Sequence, residues 1–177
     1  MHQDIEKVLI DEGIIQKRLD VLAGKVVEDF EGKPMVVVAL LKGAVLFTAD
    51  LLRRVALPMQ IEFLNVASYH GGTESSGVVS FLDETLPDVE GKVVLLLDDI
   101  LDTGRTLEAV MKKLEQQGAC EVKTCVLLAK DIEREVVKEA DYTGFMIGDE
   151  FVVGYGLDYQ GLYRNLPYVG VLKDSAV

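Results

Sequence analysis

Seven residues whose types could bind a ligand or take part in catalysis lie within nine positions: Asp98, Asp99, Asp102, Thr103, Gly104, Arg105 and Thr106. They directly follow an apolar run at residues 93–97 that is expected to be a buried strand. A helix is expected to begin at Thr106. Threonine hydroxyls, loop N–H groups and a helix N-terminus can converge on one phosphate, and a glycine lets the backbone come close. The acids can accept hydrogen bonds from sugar hydroxyls or hold metal-bound water. The combination suits a sugar phosphate, although two acids after a strand also occur in plain solvated turns.

Other nucleotide and hydrolase signatures are missing from the sequence. It contains no G-x-x-x-x-G-K-[ST] loop, no G-x-G-x-x-G and no G-x-S-x-G. Its histidines, His2 and His70, are too few and too far apart to indicate a histidine metal site. A Walker-type nucleotide hydrolase is therefore disfavoured.

The elements that must position these residues alternate in kind. Apolar spacing predicts helices at 11–30, 43–55, 106–118 and 132–140. It predicts strands at 35–41, 60–68, 78–82, 92–97, 122–129, 142–147, 151–153 and 168–172. This order indicates an α/β fold, a mostly parallel sheet with helices on both faces, built as one domain over residues 1–177. Ligands in such folds bind outside the carboxyl ends of the strands, here after Leu41, Leu97 and Ala129.

Composition excludes several classes of protein. Of 177 residues, 49% are hydrophobic and 27% charged, a globular mix. The net charge of −12 argues against a general binder of nucleic acids or anionic membranes. No apolar run approaches the ~18 residues of a membrane span, and residues 1–6 do not form a signal peptide. Two cysteines, Cys120 and Cys125, are expected to be buried thiols in a reducing cytoplasm.

Residues 93–107 resemble the phosphoribosyl diphosphate (PRPP) motif of the type I phosphoribosyltransferases. From about residue 10 to 172, four motifs in order resemble the hypoxanthine-guanine phosphoribosyltransferase family. The resemblance implies a mostly parallel twisted sheet flanked by helices, with a small hood formed by the terminal segments. It implies transfer of a 5-phosphoribosyl group from PRPP to a 6-oxopurine base in purine salvage. It also implies Mg²⁺ as cofactor, a cytoplasmic location and assembly as a homodimer or homotetramer.

The resemblance assigns most of the motif residues to PRPP. Lys42 and Gly43 match a diphosphate loop in which the peptide before the lysine can be cis, and Arg164 matches a further diphosphate contact. Asp98 and Asp99 match an acidic pair that faces the ribose hydroxyls and the metal, although the family usually has Glu-Asp there. The residues matching the 5-phosphate loop are Thr103, Gly104, Arg105 and Thr106.

The remaining matches concern the base. Asp102 matches the candidate general base, which takes the imidazole proton of the purine. Lys130 matches the lysine that contacts the 6-oxo group, and a donor-only ammonium would reject the amino group of adenine. Phe151 matches the stacking aromatic and Val152 a backbone contact to the edge of the base. Asp158 matches a ligand of a second Mg²⁺ beside the purine site.

Ser68 and Tyr69 match the start of a mobile catalytic loop that runs to about Gly77 and is rich in glycine and serine. Closure of such a loop would keep water from the positive charge that develops on the ribose carbon. An ordinary flexible hairpin tip has the same composition. Alone, Lys42 and Lys130 also suit solvated helix starts, and Phe151 suits a core position.

Two alternatives to a hypoxanthine or guanine enzyme stay open. One is a regulator of the same fold that senses PRPP and binds nucleic acid, which the acid excess of 30 over 18 basic residues disfavours. The other is an enzyme of the same fold that acts on xanthine, adenine or a pyrimidine. Lys130 disfavours adenine, and the Phe151 segment favours a purine.

Overall fold

The structure, a computed structural model, describes residues 1–68, 79–83, 85–134 and 136–176. Its helices are α1 (Glu12–Phe30), α2 (Val45–Leu52) and α3 (Arg105–Gln116), and a 3₁₀ turn spans Asp174–Ala176. The strands are β1 (Ile5–Ile10), β2 (Met35–Leu41), β3 (Gln60–Ser68), β4 (Val79–Phe81), β5 (Val93–Leu101), β6 (Glu121–Lys130), β7 (Tyr142–Ile147), β8 (Val152–Val153) and β9 (Val169–Leu172).

The larger sheet has six strands in the order β4-β3-β2-β5-β6-β7. Neighbours pair in parallel except β3 and β4, which are antiparallel. In register, Val37 of β2 lies opposite Leu95 of β5 and Ile61 of β3. The prediction of a mostly parallel sheet is confirmed, and all five parallel strands end at the same edge.

Helices cover both faces of this sheet, as predicted. Side chains of β2 and β5 alternate between two cores, because successive residues of a strand point to opposite faces. Val37 and Leu95 pack in the core that contains α1 and α2. Val36 and Leu96 pack in the core beneath α3. Burying a valine or leucine contributes about 1.5–3 kcal/mol, so both faces hold the central strands in place.

Helix α1 follows its predicted boundaries closely. Asp11 caps it by accepting a hydrogen bond from the Gly13 N–H at 2.8 Å. Its buried side recurs at helical spacing: Ile15, Leu19, Leu22, Ala23, Val26 and Phe30. Gly32, at φ +76°, and Pro34 then turn the chain into β2.

A second, antiparallel sheet joins the two ends of the chain in the order β1-β9-β8. Ile5, Val153, Leu166 and Leu172 form its own small core. This sheet confirms the hood of terminal segments. Strand β1 was not among the predicted strands, because only its first and last residues are buried and the strand shows no alternation.

Several sequence predictions are wrong in detail. Strand β5 continues through Asp98 and Asp99 to Leu101, since its pairing with β6 uses backbone groups and does not require apolar side chains. The helix predicted at 132–140 is absent from residues 132–134 and 136–140, the part of that segment that the structure describes. Cys125 is buried as expected, but Cys120 is exposed. No helix within the described ranges is long and apolar enough to cross a membrane.

A polar network ties α1 and α2 to the segment after β8. The buried Tyr155 donates a hydrogen bond from its hydroxyl to Asp50 Oδ2 at 2.6 Å. Gln16 of α1 donates to the same oxygen at 3.3 Å, and Arg53 donates to Oδ1. Burial acts to raise the pKa of Asp50, but these hydrogen bonds outweigh it and hold that pKa below the usual 3.8. The carboxylate thereby fixes Tyr155 over α2.

We predict that Tyr155→Phe lowers the free energy of unfolding by about 1–2 kcal/mol at neutral pH, because a hydrogen bond to a carboxylate is lost. The folded-state pKa of Asp50 is depressed, so its stabilisation is complete above about 3.8 and is lost as pH falls through the folded value. The difference between wild type and variant should therefore shrink in acid. Urea unfolding across pH measures the difference in unfolding free energy. Tyr168→Phe is the control, since among the described residues that hydroxyl hydrogen-bonds only to the exposed His2 N–H. A pH-independent difference would contradict the assignment.

Candidate active site

Lys130, the last residue of β6, lies between two carboxylates at the carboxyl edge of the sheet. Its Nζ is 3.6 Å from Oδ2 of Asp102 and 3.1 Å from Oδ1 of Asp149. The Lys130 side chain is 15% exposed, whereas that of Asp102 is 47% exposed. The structure thus brings together the predicted base and the predicted purine lysine, which are 28 positions apart. On one planar ligand, the ammonium can donate a hydrogen bond to an oxygen while the half-exposed carboxylate accepts one from an N–H.

Asp98, which is buried, and Asp99, which is half-buried, form a carboxylate pair inside β5. The Asp99 N–H donates to Asp98 Oδ1 at 3.0 Å, and the Ile100 N–H donates to Asp99 Oδ1 at 2.9 Å. Burial raises the pKa of Asp98 well above its usual range, and the neighbouring Asp99 charge raises it further. Burial also raises the pKa of Asp99, against hydrogen bonds and the Arg164 charge that oppose the rise. Two such carboxylates attract a cation or the hydroxyls of a sugar.

These acids fit a magnesium ion that also binds substrate oxygens. In the described part of the chain, no three His, Cys, Asp or Glu side chains come together to form a metal cluster. Mg²⁺ commonly keeps its waters and uses only one or two protein carboxylates together with substrate phosphates. Burial, and then the charge of the adjacent Asp99, raise the pKa of Asp98, and a cation bound at this pair would offset the repulsion between the two carboxylates.

The bend between β5 and α3 presents groups of the kind that bind anions. Gly104 adopts φ +81°, and a Cβ there would lie 2.8 Å from the carbonyl oxygen of Val137. Position 104 therefore requires glycine for two reasons that do not involve a ligand: the left-handed backbone conformation and the close carbonyl of Val137. Thr103 and Arg105 are exposed, and Thr106 is half-buried. Helix α3 begins at Arg105, so the first N–H groups of α3 have no partner within the helix.

The Lys42–Gly43 loop is wedged between β5 and the segment after β8. The peptide between Leu41 and Lys42 is cis. A Cβ on Gly43 would lie 1.7 Å from Asp99 Oδ2, and a Cβ on Gly156 would lie 2.0 Å from the Gly43 carbonyl oxygen. Only glycine at both positions lets these three segments lie this close together, and Lys42, next to Gly43, is exposed.

Arg164 connects these segments to Asp158. Its Nη1 donates to the Gly156 carbonyl at 2.6 Å, and its Nη2 lies 2.6 Å from Asp158 Oδ1. The other carboxylate oxygen of Asp158 accepts a hydrogen bond from the Gly161 N–H at 2.7 Å. Both oxygens of Asp158 are therefore engaged, but each retains a lone pair that could accept a hydrogen bond from metal-bound water.

Phe151 and Val152 lie where β7 leads into β8. Phe151 is 55% exposed, and its ring meets that of Tyr159 edge-on with centroids 5.8 Å apart. An aromatic ring left exposed beside polar groups is available to stack on a flat ligand. Val152 is buried and pairs with Val171 of β9, so its side chain is core. Of the two residues predicted to start the mobile loop, Ser68 ends β3 and Tyr69 lies outside the described residues.

Sequence reasoning missed two residues at this edge. Asp149 contacts Lys130, and Arg134 hydrogen-bonds the backbone carbonyls of Asp102 and Lys130. Arg134 was placed inside a predicted helix, where an arginine is unremarkable. Its position four residues beyond the end of a strand, at the ligand-binding edge of a parallel sheet, is the signal that could have indicated it.

Comparison with known proteins gives a consistent result. The model of the phosphoribosyl transferase domain matches residues 9–160. Hypoxanthine-guanine phosphoribosyltransferases of Staphylococcus aureus and Staphylococcus epidermidis are 44% and 45% identical over 173 residues, 98% of this chain and 97% of theirs. A crystal structure of a hypoxanthine phosphoribosyltransferase from Staphylococcus aureus superimposes with a TM-score of 0.93 at 44% identity, covering 99% of this chain and 96% of that one.

A more distant relative has the same fold. The hypoxanthine phosphoribosyl transferase of Trypanosoma cruzi is 36% identical with a TM-score of 0.91, covering 99% of this chain and 95% of that one. The chain therefore belongs to the phosphoribosyltransferase family, and within it to the hypoxanthine-guanine phosphoribosyltransferases.

The close approach of Gly156 to the carbonyl of Gly43 can be tested with a matched pair of substitutions. Gly156→Ala adds a Cβ that overlaps the Gly43 carbonyl, whereas Gly161→Ala adds one with nothing within 4 Å. Both glycines have positive φ, so each alanine costs about 1–2 kcal/mol of backbone strain. We predict that Gly156→Ala costs about 1–3 kcal/mol more, because the backbone must move apart. Urea unfolding of the two variants measures the difference, and equal destabilisation would show that the segments do not stack this way.

Proposed function

We propose that this protein transfers the 5-phosphoribosyl group of PRPP to hypoxanthine or guanine, releasing diphosphate and the purine nucleotide IMP or GMP. The observation that carries the proposal is the contact of Lys130 with Asp102, which directly precedes the bend between β5 and α3. The Lys130 ammonium suits the 6-oxo oxygen of the base, and the Asp102 carboxylate suits its imidazole N–H. The bend between β5 and α3 suits the 5-phosphate. The named relatives, 44% identical over nearly the whole chain, support the same substrates.

Asp102 is proposed as the general base and Lys130 as the group that recognises the 6-oxo oxygen. As the imidazole nitrogen bonds to the anomeric carbon, the bond from that carbon to the diphosphate oxygen breaks. The proton on the imidazole nitrogen passes to the Asp102 carboxylate. Lys130 donates to the oxo group throughout, and the amino group of adenine would leave its ammonium facing another donor.

The segment before and within β8 is proposed to hold the base in line. Phe151 would stack on one face of the purine, since its ring is exposed and is braced at the edge by Tyr159. The backbone of Val152 would bond the edge of the ring, because its side chain is already packed in the core. Fixing a planar base at the attack distance replaces a bimolecular encounter with an oriented one.

PRPP is proposed to lie along the carboxyl edge. The 5-phosphate would bind the N–H groups and hydroxyls of the bend: Thr103, Gly104, Arg105 and Thr106. Lys42, the Gly43 backbone and Arg164 would bind the diphosphate, while Asp98 and Asp99 accept from the ribose hydroxyls. One Mg²⁺ held by Asp98 and Asp99 and a second held by Asp158 would, when bound, offset the negative charge of the diphosphate.

Two finer properties are also proposed. A second copy of the chain is proposed to bind α2 and β3, giving a homodimer or homotetramer. Val45, Leu46, Ile61 and Phe63 are 37–48% exposed there. Three of them line an apolar groove of about 640 Å³. Light scattering that shows only monomer would reject the proposed assembly.

A cytoplasmic location suits the two free thiols, and a fluorescent fusion found outside the cytoplasm would reject it.

The function is tested with PRPP and Mg²⁺ against hypoxanthine, guanine, xanthine, adenine and uracil, following nucleotide formation by absorbance. We expect turnover of hypoxanthine or guanine at least about 10³-fold above that of adenine, because Lys130 cannot accept a hydrogen bond. Rapid use of adenine but not hypoxanthine would overturn the specificity. Turnover of no base, with gel-shift binding to nucleic acid, would favour the regulator.

The base assignment is tested by Asp102→Asn. The amide keeps the shape of the side chain but cannot take the proton, so we expect kcat for hypoxanthine to fall about 10²–10⁴-fold with little change in KM. Asp149→Asn is the comparison, because Asp149 also contacts Lys130 but has no proposed role in proton transfer. Near-wild-type kcat in Asp102→Asn, or equal losses in both variants, would show that Asp102 is not the base.

A further inference from the structure

The guanidinium of Arg134 donates hydrogen bonds to four backbone carbonyls from three segments. Nε bonds the Asp102 oxygen at 2.5 Å, and Nη2 bonds the Leu101 oxygen at 3.1 Å and the Lys130 oxygen. Nη1 bonds the Lys138 oxygen at 3.0 Å. The ends of β5 and β6 and the chain beyond them are thus joined by one side chain.

The hydrogen bonds from Arg134 lie at the point where the pairing of β5 with β6 ends. The last paired residues of β5 and β6 are Leu101 and Ala129. Beyond that pair, the backbones of Asp102 and Lys130 are no longer held to each other by the ladder. The strand pairing therefore cannot fix the spacing between these two residues, and Arg134 bonds to both of them.

Only an arginine can make this set of contacts. Its guanidinium presents five N–H donors in a rigid planar fork, whereas a lysine presents three donors from a single point. The partners are carbonyl oxygens, so the arrangement depends on direction more than on charge. A lysine in this position keeps the positive charge but cannot span the carbonyls of Leu101, Asp102 and Lys138 together.

We propose that Arg134 is a positioning residue that sets the spacing between the proposed base, Asp102, and the proposed purine contact, Lys130. The proposal rests on the function given above. Both side chains must reach one planar base at once, and a misplacement of about 1 Å can cost about 10²-fold in rate. Arg134 itself touches neither the base nor PRPP in this account.

The test compares Arg134 with Arg18, which also bonds backbone carbonyls. Arg18 of α1 donates to the Gly144 oxygen at 2.7 Å and to the Thr143 oxygen at 2.8 Å, both near the start of β7 rather than at the carboxyl edge. Lysine and alanine are placed at each position. The melting temperature, kcat and KM for hypoxanthine are measured in the full chain with saturating PRPP and Mg²⁺, with and without added guanidinium chloride at millimolar concentration.

We expect Arg134→Lys to lose about 10- to 100-fold in kcat/KM for hypoxanthine, while Arg18→Lys, with a similar change in melting temperature, stays within about threefold. Guanidinium should restore part of the activity of Arg134→Ala and none of that of Arg18→Ala. Activity of Arg134→Lys within about threefold of wild type, or losses that follow melting temperature equally at both positions, would overturn the proposal. Wild type that turns over no base would instead refute the proposed function.

Discussion

Parallel pairing of β5 with β2 on one side and β6 on the other is the constraint on which the site depends. Parallel strands end at the same edge, so Lys42, Asp102 and Lys130 meet there although they are far apart in sequence. The pairing is held by two cores, one on each face of the sheet. A change that shifted β5 by one residue would turn its buried side chains to the opposite core and move every acid at its end.

The edge concentrates opposite charges in a partly buried place. Asp98 is buried and its neighbour Asp99 half-buried, and both have a raised pKa. Positive charge comes from other segments, since Lys130 lies beside Asp102 and the Arg164 charge acts on Asp99. Glycines allow these segments to approach, since Gly43 and Gly156 each face an atom that a Cβ would overlap. A site of this kind suits a substrate that brings both anionic phosphates and neutral hydroxyls.

Much of the fold could be predicted from the sequence because its signals are local. Helix α1 carries its own cap and period, and the apolar runs of β2, β5 and β6 are typical of strands covered on both faces. The end of β5 could not be found this way, because Asp98 and Asp99 interrupt the apolar pattern while the backbone continues to pair. The helix expected at 132–140 was wrong, and in the described part of that segment Arg134 instead bonds carbonyls of three segments, a tertiary contact that no local pattern shows.

The candidate residues came from a family resemblance, and the structure gives their geometry. The contact between Lys130 and Asp102 joins distant residues, and no local pattern contains it. The pairing of Arg164 with Asp158 and the exposure of Phe151 likewise depend on the tertiary fold. Asp149 and Arg134 were missed for the same reason, since their significance depends on tertiary contacts.

The central claim is that the bend from Asp102 to Thr106 binds a phosphorylated ribose. A crystal structure with IMP measures this directly. We expect the 5-phosphate within hydrogen-bond distance of the N–H groups of residues 103–106, the ribose hydroxyls at Asp98 and Asp99, and the 6-oxo group at Lys130. An empty bend, with the nucleotide bound elsewhere on the protein, would contradict it.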